Sequence, residues 1–239
     1  MKLKHDFEIN TSNPFKNCKL GREKYAKVLT NIVENYPDGF VIAINNKWGS
    51  GKTTFVKMWE QDLKNLDYKT IYFNAWENDF EGNPLVAMLA EMKVINPNEE
   101  ESFNKVMKNA AKISKNIIPS IAISFLKKYI DSETILNGIK DTSNTIIEIF
   151  EDDINEYSKR KKSIEDFKKS LSQFVAEESK GKQLIFIIDE LDRCRPTYSV
   201  QLLEQIKHFF SIPNIIFVLS IDKIQLENAV CGVYGSEKN

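Results

Sequence analysis

A short junction between two elements constrains this 239-residue chain more than any other feature. Phe40–Ile44 is an apolar run rich in β-branched residues, the pattern of a buried strand. It leads into Asn45-Asn46-Lys47-Trp48-Gly49-Ser50-Gly51, and from Lys52 to Leu66 the spacing becomes helical. Glycines let such a loop turn tightly, so that successive N–H groups converge on an anion. The helix that follows adds its unpaired first N–H groups and its positive dipole end. Lys52 has the reach to contact β- and γ-phosphate oxygens, and the Thr53 hydroxyl suits Mg²⁺. The expected phosphate-binding set is therefore Asn46, Lys47, Trp48, Gly49, Ser50, Gly51, Lys52, Thr53 and Thr54. The pattern G-x-x-x-x-G-K-[ST] has a glycine where this chain has Asn46. Asn tolerates positive φ better than other non-glycine residues, which is the expected reason the loop still closes.

Further strands are expected at Lys69–Ala75, Leu184–Ile188 and Ile215–Leu219. Helices are expected at Leu20–Asn35, Pro84–Val94, Tyr198–Phe210 and Lys223–Val233. Continuous apolar strands alternating with helices imply a parallel sheet covered on both faces. Residues 96–180 read as helical throughout, with stretches at Ile135–Tyr157 and Ile164–Glu178, and form an expected insertion between the second and third strands. The whole chain, 1–239, is read as one domain. Its 42% apolar and 28% charged residues exclude global disorder. A formal charge of −1 points to no class of partner.

Cys18, Cys194 and Cys231 are too scattered for a disulfide framework or a zinc ribbon. The N-terminus lacks the apolar run of a signal peptide. Ile117–Leu126 is too short to cross a bilayer as a helix, which takes about 20 residues. These features give the expectation of a cytoplasmic protein.

The apolar run Leu184–Ile188 ends in Asp189-Glu190. An aspartate there can hold Mg²⁺ through a water, and the adjacent glutamate can polarise an attacking water. With Lys52 and Thr53 this pair favours hydrolysis of a nucleoside triphosphate. The next strand ends in Ser220-Ile221-Asp222, and Ser220 or Asp222 could sense the γ-phosphate. Asp222 could equally cap the following helix. A kinase would need a base near the end of the second strand, where Glu77 and Asp79 stand.

Five segments together resemble the KAP family of P-loop NTPases. They are Trp48-Gly49-Ser50-Gly51-Lys52-Thr53, Phe73-Asn74-Ala75-Trp76, Ile187-Ile188-Asp189-Glu190-Leu191-Asp192-Arg193-Cys194 with Pro196, Leu203-Glu204-Gln205-Ile206-Lys207, and Phe217-Val218-Leu219-Ser220-Ile221-Asp222. The resemblance implies a three-layer α/β/α fold with ASCE strand order 5-1-4-3-2 and a relation to STAND and AAA+ ATPases. It implies ATP and Mg²⁺ as ligands, and a cycle that drives a conformational or assembly switch, with phage defence as one output. It also implies a site completed by a second copy or a partner protein. Asp192 and Arg193 are the family's pair after the Walker B strand. Arg193 could pair locally with Asp192 or act on a neighbour's phosphate. Trp76 is expected in the core. A nucleotide-binding switch without turnover is the alternative to an ATPase.

Between Ser102 and Ile130 there are six lysines and no acid, with apolar residues at helical spacing from Phe103 to Phe125. The plain expectation is a packed helix with a solvated lysine face. A membrane surface along 103–130 is the other candidate partner. Phe103–Phe125 has no Arg and little aromatic interleaving, so any nucleic-acid contact would be to phosphate backbones rather than sequence-specific.

Overall fold

A computed structural model describes residues 8–36, 38–80, 82–93, 100–117, 146–179, 181–207, 209 and 212–235, and the side chains of 100, 114–117 and 146–156 lie outside that description. The chain divides into two compact units, Met1–Pro97 with Val175–Asn239, and Asn98–Phe174.

The first unit is built on α1 (Glu23–Asn35), β1 (Phe40–Asn45), α2 (Lys52–Asn65), β2 (Lys69–Asn74) and α3 (Pro84–Lys93). It continues with β3 (Leu184–Asp189), a 3-10 turn at Leu191–Arg193, α6 (Pro196–Ile206), β4 (Ile215–Ile221) and α7 (Lys223–Tyr234). The four strands form one sheet in the order β1-β4-β3-β2, and every pairing is parallel. This is the 1-4-3-2 part of the expected order, and no fifth strand is found among the described residues.

The sheet is apolar on both faces because helices cover both. On one face Ile185, Ile187, Ile216 and Val218 meet Ala26 and Val33 of α1 and Phe55, Val56, Trp59 and Leu63 of α2. The Trp59 indole N–H donates to Thr30 Oγ1 at 3.0 Å, so the largest buried side chain also satisfies its polar edge and ties α2 to α1. On the other face Phe73, Phe186 and Phe217 form a row with ring centroids 6.1 and 5.7 Å apart. There α3 contacts β2 and α6, and α6 contacts α7. Gly39, just before β1, is a glycine for lack of room: a Cβ would lie 2.0 Å from the Ile212 carbonyl oxygen.

The second unit contains α4 (Glu100–Ile117) and most of α5 (Ile146–Glu178). Phe103 packs on Phe174 with centroids 5.3 Å apart. Asn109 Nδ2 donates to the Asp166 carbonyl and to Ser170 Oγ, both at 3.2 Å. Phe103, Val106, Met107, Ala110 and Ile113 are buried, while Lys105, Lys108 and Lys112 are exposed. The described part of this segment thus has an apolar face inward and a lysine face in water. Residues 118–130, including the rest of the candidate membrane surface, lie outside the described residues.

Two expectations change. Ile164–Glu178 is not a separate helix: α5 runs unbroken for 33 residues through Ser158-Lys159-Arg160-Lys161-Lys162-Ser163. Lys and Arg are good helix formers, and neither Pro nor Gly interrupts them. Trp76 is 54% exposed and not in the core, because it follows β2 in a turn whose amides are taken by the Asn74 side chain.

Candidate functional site

All four strands end on one side of the sheet, where a doubly covered parallel sheet opens its crevice. The register sets Asn74 beside Asp189 and Asp189 beside Ser220, so a polar row crosses the carboxyl ends of β2, β3 and β4. The loop after β1 closes over this row. Trp48, Gly49, Gly51, Lys52 and Thr53 from the loop side and Asp189, Glu190, Asp192 and Arg193 from the β3 side line a cleft of about 190 Å³. Sites that enclose a whole ligand hold about 300–1,000 Å³. This cleft is smaller than such a site.

On the loop side, Gly49 and Gly51 take left-handed backbone, with φ of 75° and 79°. Gly51 is the N-cap of α2, so Lys52 sits in the first turn, where backbone N–H groups have no helical partner. The Lys52 ammonium donates to the carbonyls of Asn46 at 2.7 Å and Lys47 at 3.2 Å. Asn46 is not among the positive-φ residues, so the conformational reason expected for it does not apply. Its side-chain oxygen instead accepts the Lys47 N–H at 2.8 Å, and its own N–H donates to the Ile221 carbonyl at 3.1 Å. The asparagine closes the loop by hydrogen bonding.

Two further bonds tie the loop to the opposite side. The Trp48 N–H donates to Asp222 Oδ2 at 3.2 Å, and the Trp48 indole N–H donates to Asp192 Oδ2. Trp48 is 50% exposed and shapes the cleft. Asp222 is the N-cap residue of α7, yet its carboxylate makes no capping bond and serves the loop instead. Ser220 is fully buried and its hydroxyl has no partner among the described residues.

On the β3 side, Asp189 is 1% exposed. Tyr72 donates its hydroxyl to Asp189 Oδ2 at 2.8 Å, and the Glu190 N–H donates to Asp189 Oδ1 at 3.0 Å. Burial, and then the charge of Asp189, push the Tyr72 hydroxyl far above the usual phenol range. Tyr72 therefore stays a proton donor at any ordinary pH. Glu190 has φ of 60°, a conformation that costs a non-glycine residue energy and that gathers at functional sites. Its carboxylate accepts from Arg193 Nη1 at 2.9 Å and from Asn74 Nδ2 at 3.4 Å. Arg193 thus bonds Glu190 and not Asp192, and with its side chain 42% exposed the pair is not a buried one. Burial, and then nearby Asp79, push the Cys194 thiol up to about 12, which leaves it neutral and unreactive.

Of the residues expected in the site, Trp48, Gly49, Gly51, Lys52, Thr53, Asp189, Glu190 and Arg193 come together in the cleft. Asn46, Lys47 and Asp222 act on the loop through hydrogen bonds, and Ser50, Thr54 and Ser220 do not line the cleft. Glu77 and Asp79 do not line it either. Asp79 is bound to Arg195, whose Nε donates to Oδ1 at 2.6 Å and whose N–H donates to Oδ2 at 2.8 Å. The pattern reading missed Arg22, Tyr72 and Asn74, whose roles depend on residues far along the chain.

The sequence pattern described as the KAP family P-loop domain matches residues 22–239. This chain belongs to the KAP family. An uncharacterized protein of Methanocaldococcus jannaschii is 30% identical to it over 65% of this chain and 81% of its own length. Membership brings with it the P-loop fold seen here and points to nucleotide binding. No helix among the described residues of this KAP chain is long and apolar enough to cross a membrane.

Proposed function

We propose that this chain binds ATP with Mg²⁺ and hydrolyses it, using the cycle to switch its conformation or assembly. The observation that carries the reading is the single cleft in which Lys52 and Thr53 face Asp189 and Glu190. Lys52 and the loop amides would hold the β- and γ-phosphates. Thr53 and Asp189 would hold the metal. One hydroxyl and one carboxylate suit Mg²⁺, which keeps several waters and takes much of its coordination from substrate phosphates. No cluster of three or more His, Cys, Asp or Glu able to cage a metal occurs among the described residues. Mg²⁺, when bound, would offset charge on the phosphate oxygens. Glu190 would take the proton of the attacking water at a carboxylate oxygen. Tyr72 fixes the orientation of the Asp189 carboxylate throughout.

A second reading, a nucleotide-dependent switch without turnover, is favoured by one observation. Both oxygens of Glu190 are already engaged, one by Arg193 and the other by Asn74. For hydrolysis these contacts would have to loosen, and approach of a second copy to the half-exposed Arg193 is the step we propose for that. The setting we propose is cytoplasmic. Phage defence as the output follows only from the family resemblance.

The test is ATP turnover with Mg²⁺ across protein concentrations, for the native chain and Glu190→Gln. Turnover per chain should rise with concentration, and the variant should lose about 100- to 10,000-fold in rate while keeping its ATP affinity. Tight binding with no turnover in either chain would select the switch. Equal rates in the two would remove Glu190 from the chemistry.

A further inference from the structure

We propose that Arg22 is a positioning residue that aims the phosphate-binding amides of the loop from outside the cleft. The proposal rests on the nucleotide-binding reading above. Arg22 donates from Nη2 to the Ser50 carbonyl at 2.6 Å and from Nη1 to the Gly51 carbonyl at 2.9 Å. A planar fork holding two consecutive carbonyls is something Arg does and Lys cannot. In a trans peptide the C=O and the next N–H point in opposite directions. Drawing the Ser50 and Gly51 carbonyls toward Arg22 therefore turns the N–H groups of Gly51 and Lys52 the other way. Gly51 and Lys52 line the cleft, and Arg22 does not.

The lever is anchored. Arg22 is the N-cap residue of α1, and its carbonyl accepts the N–H groups of Tyr25 and Ala26 at 3.0 and 3.2 Å. Helix α1 is held to α2 by Ala26 and Val33 in the core and by the Thr30–Trp59 bond. The fit is close: a Cβ on Gly51 would lie 3.2 Å from Arg22 Nη1. With Asn46 in place of a glycine at the loop's start, the other end of the loop is held by a residue that precedes the strand altogether.

The test compares the native chain with Arg22→Lys and Arg22→Ala. Binding of a fluorescent ATP analogue and of inorganic pyrophosphate is measured by titration, with melting temperature followed in parallel. Loss of charge-assisted bonds to the loop should weaken both ligands about tenfold or more in both variants. It should raise KM for ATP by the same factor and leave kcat within about twofold. Lys keeps the charge and the packing, so its failure to rescue singles out the fork. Unchanged affinity in either variant would overturn the proposal. So would loss of ATP binding with pyrophosphate binding intact, because Arg22 would then be reading the nucleoside. If the native chain binds no nucleotide, the functional reading fails and the proposal is still tested. The amide resonances of Gly51 and Lys52 should shift in the ligand-free variants, and unshifted resonances would overturn it.

Discussion

The two walls of the cleft are built on opposite principles. The loop wall offers backbone: left-handed glycines, helix-start amides and one lysine, with the shape set by Asn46 within the loop and by Arg22 and Asp222 outside it. The β3 wall offers side chains: carboxylates carried on a buried strand and oriented by Tyr72, Asn74 and Arg193. Backbone binds any phosphate-like anion, whatever the side chains, so long as its conformation holds. In the proposed function, side chains would bring a metal and move a proton, so a single atom changed there would alter the chemistry while the fold stands.

That contrast can be broken by experiment. The largest effect is expected from Lys52→Ala, which should cost about 100-fold or more in ATP affinity with or without Mg²⁺, since it removes the charge proposed to hold phosphate. Asp189→Asn should instead weaken binding only when Mg²⁺ is present. Titrations of both variants with and without the metal check this, and equal losses under both conditions would erase the distinction between the walls.

A smaller effect is expected from Gly51→Ala. Its φ of 79° and the 3.2 Å approach to Arg22 should cost about 1–3 kcal/mol of stability. Denaturant melts should show this, along with weaker pyrophosphate binding. Loss of stability with native pyrophosphate affinity would mean that loop shape matters less than proposed.

A comparable effect is expected from Tyr72→Phe. It leaves one oxygen of a 1%-exposed carboxylate without its donor and should cost about 1–3 kcal/mol of stability. Metal-dependent turnover should fall and metal-free nucleotide affinity should stay. A fall in metal-free affinity would place Tyr72 in the service of both walls.

Much of this arrangement was legible in the sequence. The loop and the Asp189-Glu190 pair are local patterns, and the four apolar runs became the four strands within two residues at each end. Strand order needed the family resemblance, because apolar runs do not say which of them are neighbours. Roles set by distant partners were illegible: Arg22 is 28 residues from Ser50, and Tyr72 is 117 from Asp189. The left-handed backbone of Glu190 also leaves no trace in composition, since the residue types that favour it are absent there. Trp76 was misread for a related reason, as size alone suggests burial and only the turn after β2 puts it outside.

The bonds that hold Trp48 of the loop join residues 144 and 174 positions apart, Trp48 to Asp192 and Trp48 to Asp222. Closing loops of that length costs chain entropy before any contact repays it. The phosphate loop, though complete by residue 54, therefore lacks its bonds to Asp192, Asp222 and Ile221 until β4 has joined the sheet beside β1. A chain emerging from synthesis would carry its binding motif early and gain its binding site late. Nucleotide, by binding only the finished arrangement, would act as a ligand that selects completed molecules from incomplete ones.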